Sequence, residues 1–181
     1  MQRRQILAIT TLFAAACGFS SPALAEPISP EMQKLIDTYR AKLVQWAGNP
    51  AVVSAAKASN ASSGIPGMTP AKWTELAESD AAVKATMTSP AGKFVDSLDS
   101  KEINKVVVRD KAGNLVAANT KVVLYNVAHR PVFKTAITGT PWQQEQMQKD
   151  VTTQLMGVQI AVPIKDGAEI VGVMHAAVTA K

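Results

Sequence analysis

The last third of the sequence carries two strand–turn–strand units, and these restrict the possible fold more than any other feature. The first spans residues 106–118 and begins with a β-branched run that leads into a turn at 110–114. The second spans residues 158–178, where alternating apolar residues flank the turn Lys165-Asp166-Gly167. A glycine in so short a turn is typical of antiparallel strand connections. Both units are therefore predicted to be β-hairpins.

The part of the chain before these units has the patterns of helices instead. Ser29-Pro30 and Asn49-Pro50 each place a capping side chain before a proline at the first helical position. Apolar residues that recur at helical spacing predict a long first helix, with shorter helices after it. The predicted helices cover residues 31–47, 51–59, a short stretch from Pro70, 80–87, 90–98 and, beyond the first hairpin, 130–137.

These elements together predict an α+β fold, in which a long N-terminal helix and short helices pack on a mainly antiparallel, roughly five-stranded sheet. One sheet face would pack on the long helix, and the crossover between the second and third strands would cover the other. A sheet face roofed in this way favours a small-molecule pocket. Gly157 and Gly172 lie within strands, where they cost stability unless something approaches closely, and they predict bulges or backbone that faces a pocket.

The first 25 residues have the three parts of an export signal. Arg3 and Arg4 precede an apolar stretch at residues 6–16, and Ala23-Leu24-Ala25 supplies the small residues that a signal peptidase reads. The prediction is a signal peptide at residues 1–25, followed by a single domain at 26–181 that is periplasmic or secreted. No later segment approaches the roughly 18 uninterrupted apolar residues of a transmembrane helix.

Cys17 offers an alternative to cleavage, because it follows three alanines in a weak lipid-attachment motif that would tether the domain to a membrane. Cleavage after Ala25 would leave no cysteine and would lower the formal net charge from +5 to +3. Disulfides and thiol chemistry are then excluded. The basic residues are scattered and form no stripe interleaved with aromatics, so no nucleic-acid partner is predicted.

The crossover segment, residues 121–154, contains the side chains best suited to a polar or anionic ligand. Arg130 would grip a carboxylate with two hydrogen bonds, and Tyr125 or Lys121 would add donors. His129 would be a pH-dependent donor, and Trp142 would form an apolar wall. In the alternative interpretation the charged side chains are solvated and Trp142 closes the edge of the core.

Neither enzymatic activity nor a cofactor is predicted. The sequence has no nucleophile elbow, phosphate loop or haem-attachment motif. His129 and His175 are the only histidines, and no HxxxH or HxH spacing is present. A metal site would need both brought together with carboxylates such as Asp150 or Asp166. We therefore predict no metal site, and we expect His175 to be a hydrogen-bonded structural residue.

Three segments resemble the extracytoplasmic Cache sensor domain of the single-Cache type, a PAS-like domain also called PDC. They are V-x-V-R-D-K-A-G-N-L-V-A-A-N at 106–119, A-V-P-I-K-D-G at 161–167 and I-V-G-V-M at 170–174. The resemblance extends over residues 31–181. It implies a PAS-like sheet and a small ligand such as a carboxylate or an amino acid, held between the sheet and the loops over it. The amino-acid signature of double-Cache members, a Tyr, Arg, Trp and Asp constellation, is not matched.

Members of this family usually pass ligand occupancy to an output domain across the membrane. Because the sequence ends at Lys181 without such a domain, we expect a stand-alone domain that binds a small polar or anionic metabolite for sensing and presents it to a membrane sensor partner. The alternative is a structural or protein-interaction module that docks on a membrane receptor, or forms a homodimer through its long helix, without any ligand. A co-purifying small molecule favours the first hypothesis, and a stable dimer with an empty site favours the second.

Overall fold

The first three helices each begin at a proline that follows a capping side chain. In the computed structural model, which describes residues 25–98 and 101–179, the side chains of Ser29, Asn49 and Thr69 accept hydrogen bonds from backbone N–H groups of the first turn. The cap therefore fixes where each helix starts. The helices of the described residues are α1 (Pro30–Ala47), α2 (Pro50–Ser62), α3 (Pro70–Glu75), α4 (Ala81–Thr88), α5 (Pro90–Asp96) and α6 (Pro131–Ala136).

The strands form one antiparallel sheet, and both predicted hairpins are confirmed. The order is β2-β1-β6-β5-β3, with β4 also paired to β5. Gly113 and Gly167 adopt positive φ values of 82° and 61° in the two hairpin turns. The strands are β1 (Ile103–Asp110), β2 (Leu115–Ala118), β3 (Trp142–Gln143), β4 (Gln148–Lys149), β5 (Met156–Asp166) and β6 (Glu169–Thr179).

The α+β class with helices packed on a mainly antiparallel sheet is confirmed. β3 and β4 were not predicted, since two residues are too few to show any periodicity. β5 begins at Met156, two residues before the predicted unit at 158–178, and residues 150–154 form a turn ahead of it. In that turn the N–H of Gln154 donates to the carbonyl of Asp150 at 2.8 Å.

Alternate residues of the sheet face two different environments. One face packs on α1, α2 and α5 and forms the main apolar core, which includes Val106, Val108, Ile160, Met174, Ile36 and Leu43. The other face lies under the crossover between β2 and β5, residues 119–155, which we call the roof. Since side chains alternate along a strand, every second residue of β1, β5 and β6 points toward the roof.

Two strand glycines lie where neighbouring backbones approach closely. A Cβ atom on Gly172 would lie 2.1 Å from the carbonyl oxygen of Arg109, and one on Gly157 would lie 2.4 Å from that of Val178. Both distances are far below van der Waals contact, so a side chain at either position would force β6 away from its neighbour. These glycines therefore allow the central strands to pair tightly.

The predicted export signal and Cys17 lie outside the described residues, except for Ala25. Within the part of the chain that the structure describes, none of the helices combines the length and the apolar character needed to cross a membrane.

Candidate ligand-binding pocket

A cavity of about 470 Å³ lies between the sheet and the roof. This volume falls within the range of small-molecule sites. The roof contributes apolar side chains, among them Val122, Leu124, Val127 and Val132, together with Arg130 and Trp142. The floor is formed by residues of three adjacent strands, namely Lys105, Arg109, Gly157, Gln159, His175 and Ala177. The roofed pocket that the sequence predicted is therefore present, with polar groups concentrated on its floor.

Arg109 is the most distinctive group of the floor, because its charge is buried without a carboxylate partner among the described residues. Its side chain is fully buried and forms no ion pair with any described residue. Nη1 donates to the carbonyls of Leu124 and Tyr125 at 3.0 and 2.7 Å, and Nε donates to Nε2 of His175 at 3.3 Å. Nη2 makes no hydrogen bond to a described residue. An uncompensated cation beside a cavity is suited to an anion.

Burial lowers the pKa of Arg109 to about 9, and the nearby charge of Asp110 opposes this effect. The guanidinium is therefore still protonated at neutral pH. Asp110 does not neutralise it by contact, because its carboxylate accepts hydrogen bonds from Ser59, Ala112 and Asn114 in and beside the β1–β2 turn.

His175 is a neutral, buried member of the same floor. Burial lowers its pKa well below the ordinary value, and the charges of Arg109 and Lys105 lower it further. Since Nε2 accepts a hydrogen bond from Arg109, the neutral ring carries its proton on Nδ1. That Nδ1 atom is buried and has no hydrogen-bond partner among the described residues. The expected structural histidine thus lies in the pocket floor, and only one of its two ring nitrogens has a hydrogen-bond partner among the described residues.

The His175 environment predicts a specific acid sensitivity. A histidine whose pKa is lowered by folding takes up a proton first in the unfolded chain, so stability falls as pH drops below about 6.5. Denaturant unfolding between about pH 7 and 5.5 should show a loss of up to about 1.4 kcal/mol per pH unit from this group. His175→Gln should remove this slope, and His129→Gln at an exposed position should keep it. Equal slopes in the two variants would contradict the assignment.

Lys105 and Asp150 form a buried ion pair that joins the floor to the roof. Oδ2 of Asp150 accepts from Lys105 and from Nε2 of Gln159, the latter at 3.2 Å. Oδ1 accepts from the N–H groups of Thr152 and Thr153 at 2.8 and 3.1 Å. Burial alone would raise the pKa of Asp150, but Lys105 and these N–H groups outweigh it and lower that pKa. Burial lowers the pKa of Lys105, against the opposing effect of Asp150.

Two of the residues predicted to bind a ligand line the cavity. Arg130 is the N-cap of α6, with an exposed side chain, and Trp142 is half-buried in β3. These two residues therefore provide a cation and an aromatic surface on the roof side of the pocket.

The other three predicted residues do not line this cavity. The hydroxyl of Tyr125 accepts from the N–H of Ile65 at 2.9 Å, and its ring packs against Trp73 with centroids 5.8 Å apart. Lys121 donates to the carbonyl of Leu76, and His129 is exposed. Tyr125 and Lys121 thus connect the roof to the α2–α3 region.

The floor residues lie in strands, outside the crossover in which the ligand contacts were predicted. A signal was present in the strands, since Lys105, Arg109 and His175 interrupt strands that are rich in apolar residues. In the described part of the chain, no group of three or more His, Cys, Asp or Glu side chains is placed to hold a metal ion.

No protein-family model matches the chain, and no curated protein matches it in sequence. Among solved structures, the chain is similar to the sensor domain of the V. cholerae histidine kinase DctB. The identity is 18%, the TM-score is 0.43, and the match covers 82% of this chain and 57% of that one. The structure that the chain is similar to is a sensor domain, the class of domain that the sequence resemblance also named.

Two further similar structures are ligand-binding domains of chemoreceptors. For PctC of Pseudomonas aeruginosa PAO1, in complex with GABA, the identity is 12%, the TM-score 0.47, and the coverage 83% of this chain and 56% of that one. For CtaA of Pseudomonas fluorescens, in complex with L-alanine, the identity is 16%, the TM-score 0.42, and the coverage 82% of this chain and 55% of that one. The chain thus spans a little over half the length of the solved domains it matches. At these identities the likeness concerns the fold alone, so the ligand has to be argued from this pocket.

Proposed function

We propose that this protein is an extracytoplasmic sensor domain that binds a small anionic metabolite, with a carboxylate seated on Arg109. The observation that carries the proposal is the buried guanidinium, which lies in the cavity floor and contacts no carboxylate in the part of the chain that the structure describes. A ligand carboxylate would accept from the free Nη2 group and supply the missing counter-charge. Export from the cytoplasm belongs to the same proposal and is supported by the signal-peptide pattern of residues 1–25. A membrane sensor partner is the further element that the proposal adds.

The remaining contacts would orient the ligand. Trp142 and the apolar roof side chains would cover its carbon skeleton, and Arg130 would attract the anion toward the pocket. Arg130 and Trp142, which the sequence predicted as ligand contacts, are therefore part of the proposed site. Arg109 of the floor is the third proposed contact.

One connection supports a sensing role for the site. Trp142 lines the cavity, while the next residue, Gln143, exchanges hydrogen bonds of 2.9 and 3.3 Å with Gln33 of α1 and accepts from Arg40 of the same helix. Neighbouring residues of a strand point to opposite sides. Movement of β3 on ligand contact would therefore reach α1 directly.

A thermal-shift screen against small carboxylates, amino acids and amines tests the proposal. A carboxylate at about a hundred times its Kd should stabilise the protein by about 2.7 kcal/mol, a shift of several degrees. Cationic amines should produce no shift. Arg130→Ala should weaken the best carboxylate by about tenfold through loss of a charge at the pocket. Lys134→Ala, which removes an exposed charge outside the cavity, is the matched control.

No shift with any carboxylate, combined with a stable dimer or a captured receptor, would reject the ligand-binding proposal and favour the interaction module. Unchanged affinity in Arg130→Ala would remove only Arg130 from the site.

A further inference from the structure

The pocket floor holds two cationic side chains whose partners differ. Lys105 and Arg109 lie on the same face of β1, four positions apart, which at the rise of a strand separates their Cα atoms by about 13 Å. Within residues 25–98 and 101–179 no carboxylate pairs with Arg109, whereas Lys105 is paired with Asp150. Both side chains line the cavity, so a ligand with two acidic groups would encounter one free cation and one that is already occupied.

Asp150 pairs with Lys105 from the roof side, and hydrogen bonds hold its carboxylate in place. It follows β4 directly, and its Oδ1 atom accepts from the N–H groups of Thr152 and Thr153. Its Oδ2 atom faces the floor and accepts from Lys105 and Gln159. The protein thus places a carboxylate of its own against the second cation of the site.

We infer that Asp150 determines the charge of the ligand, so that the pocket selects monocarboxylates and rejects dicarboxylates. This inference rests on the proposed binding of a carboxylate at Arg109. A second ligand carboxylate would have to displace Asp150 from Lys105, or lie unpaired beside it. Either outcome leaves a negative charge without a partner in a buried site, which is strongly unfavourable. Rejection by an internal charge of the same sign is a common source of specificity.

The test compares matched acids of equal length in the wild-type protein and in Asp150→Asn. The pairs are butyrate and succinate, pentanoate and glutarate, and hexanoate and adipate. The asparagine oxygen preserves the acceptor for Thr152 and Thr153 and removes the charge. The wild-type protein should bind the preferred monocarboxylate at least about tenfold more tightly than its dicarboxylate partner, and Asp150→Asn should erase or invert that preference.

A double variant shows whether the gain in dicarboxylate affinity in Asp150→Asn depends on Lys105. In Lys105→Gln/Asp150→Asn the second cation is absent, so dicarboxylate binding should be lost again while monocarboxylate binding remains. Should Asp150→Asn not fold alone, refolding in succinate, glutarate or adipate against the matched monocarboxylates gives the same comparison. Rescue by a dicarboxylate alone supports the inference, and equal rescue by both classes, or by neither, overturns it.

The possible failures are separable. If the wild-type protein binds monocarboxylates in an Arg109-dependent manner and Asp150→Asn keeps the same preference, the charge-selection inference is wrong and the proposed function stands. If the wild-type protein prefers a dicarboxylate, the inference is also wrong. If none of the acids binds to either protein, the proposed carboxylate site itself is rejected.

Discussion

Arg109→Gln should abolish useful binding of the preferred carboxylate, with an increase in Kd of at least about thirtyfold. Truncating one partner of a buried, hydrogen-bonded charge pair costs about 2–5 kcal/mol, and the lower limit corresponds to this factor. The effect should be larger than that of Arg130→Ala because Arg109 is fully buried and Arg130 is exposed. Isothermal titration calorimetry of both variants with the same acid measures the difference.

Two controls separate the loss of binding from a loss of fold. Arg109→Lys retains a positive charge without the planar fork, so it should bind more weakly than wild type and more tightly than Arg109→Gln. Denaturant unfolding of each variant measures its free energy of unfolding. In Arg109→Gln this includes the cost of leaving the carbonyls of Leu124 and Tyr125 without their donor. A folded Arg109→Gln protein that binds the acid as wild type does would refute the assigned role.

Lys105→Met should lower the free energy of unfolding at neutral pH by about 3–5 kcal/mol, the expected cost of breaking a buried ion pair from one side. Both side chains of the pair are almost fully buried, so Asp150 would keep a charge without a cationic partner. Lys105→Met/Asp150→Asn removes both charges and should recover most of the loss. Urea unfolding of the single and double variants measures both effects.

The loss in Lys105→Met should also depend on pH in a defined direction. In the wild-type protein the pKa of Asp150 is lowered, so this carboxylate stabilises the fold above its unfolded pKa near 4, and that contribution disappears as pH falls through the folded value. Without Lys105 the largest influence that lowers this pKa is lost, so the pKa of Asp150 is higher in the variant than in wild type. The ion pair stabilises the fold only while Asp150 is charged, so protonation of Asp150 removes the contribution of Lys105. The gap between wild type and variant should therefore narrow below about pH 4; a constant gap would contradict the ion-pair explanation.

The fold was largely predictable because its main determinants are local in sequence. Ser29-Pro30 and Asn49-Pro50 define helix starts within a few residues, and the turns at Gly113 and Gly167 define the hairpins. The paired strands then follow from the alternation on either side of each turn. β3 has no comparable local signal, because its two residues pair with Ile160 and Ala161 of a distant strand.

The pocket itself was predictable, but its charged floor was not. That a crossover roofs one sheet face follows from the order of the elements. Which strand positions lie under it depends on the register between β1 and β6, where Val107 pairs with His175. Tyr125 lies in the roof as expected, but it does not line the cavity. Its side chain contacts Ile65 and Trp73 instead, and these contacts depend on the tertiary structure.

Carboxylate binding at Arg109 is tested most directly by a crystal structure of the protein with the tightest-binding monocarboxylate, at a concentration well above its Kd. We expect the acid in the cavity between sheet and roof, with a carboxylate oxygen about 2.7–2.9 Å from Nη2 of Arg109 and with Asp150 still paired with Lys105. An acid bound elsewhere, or bound in the cavity without contact to Arg109, would contradict it.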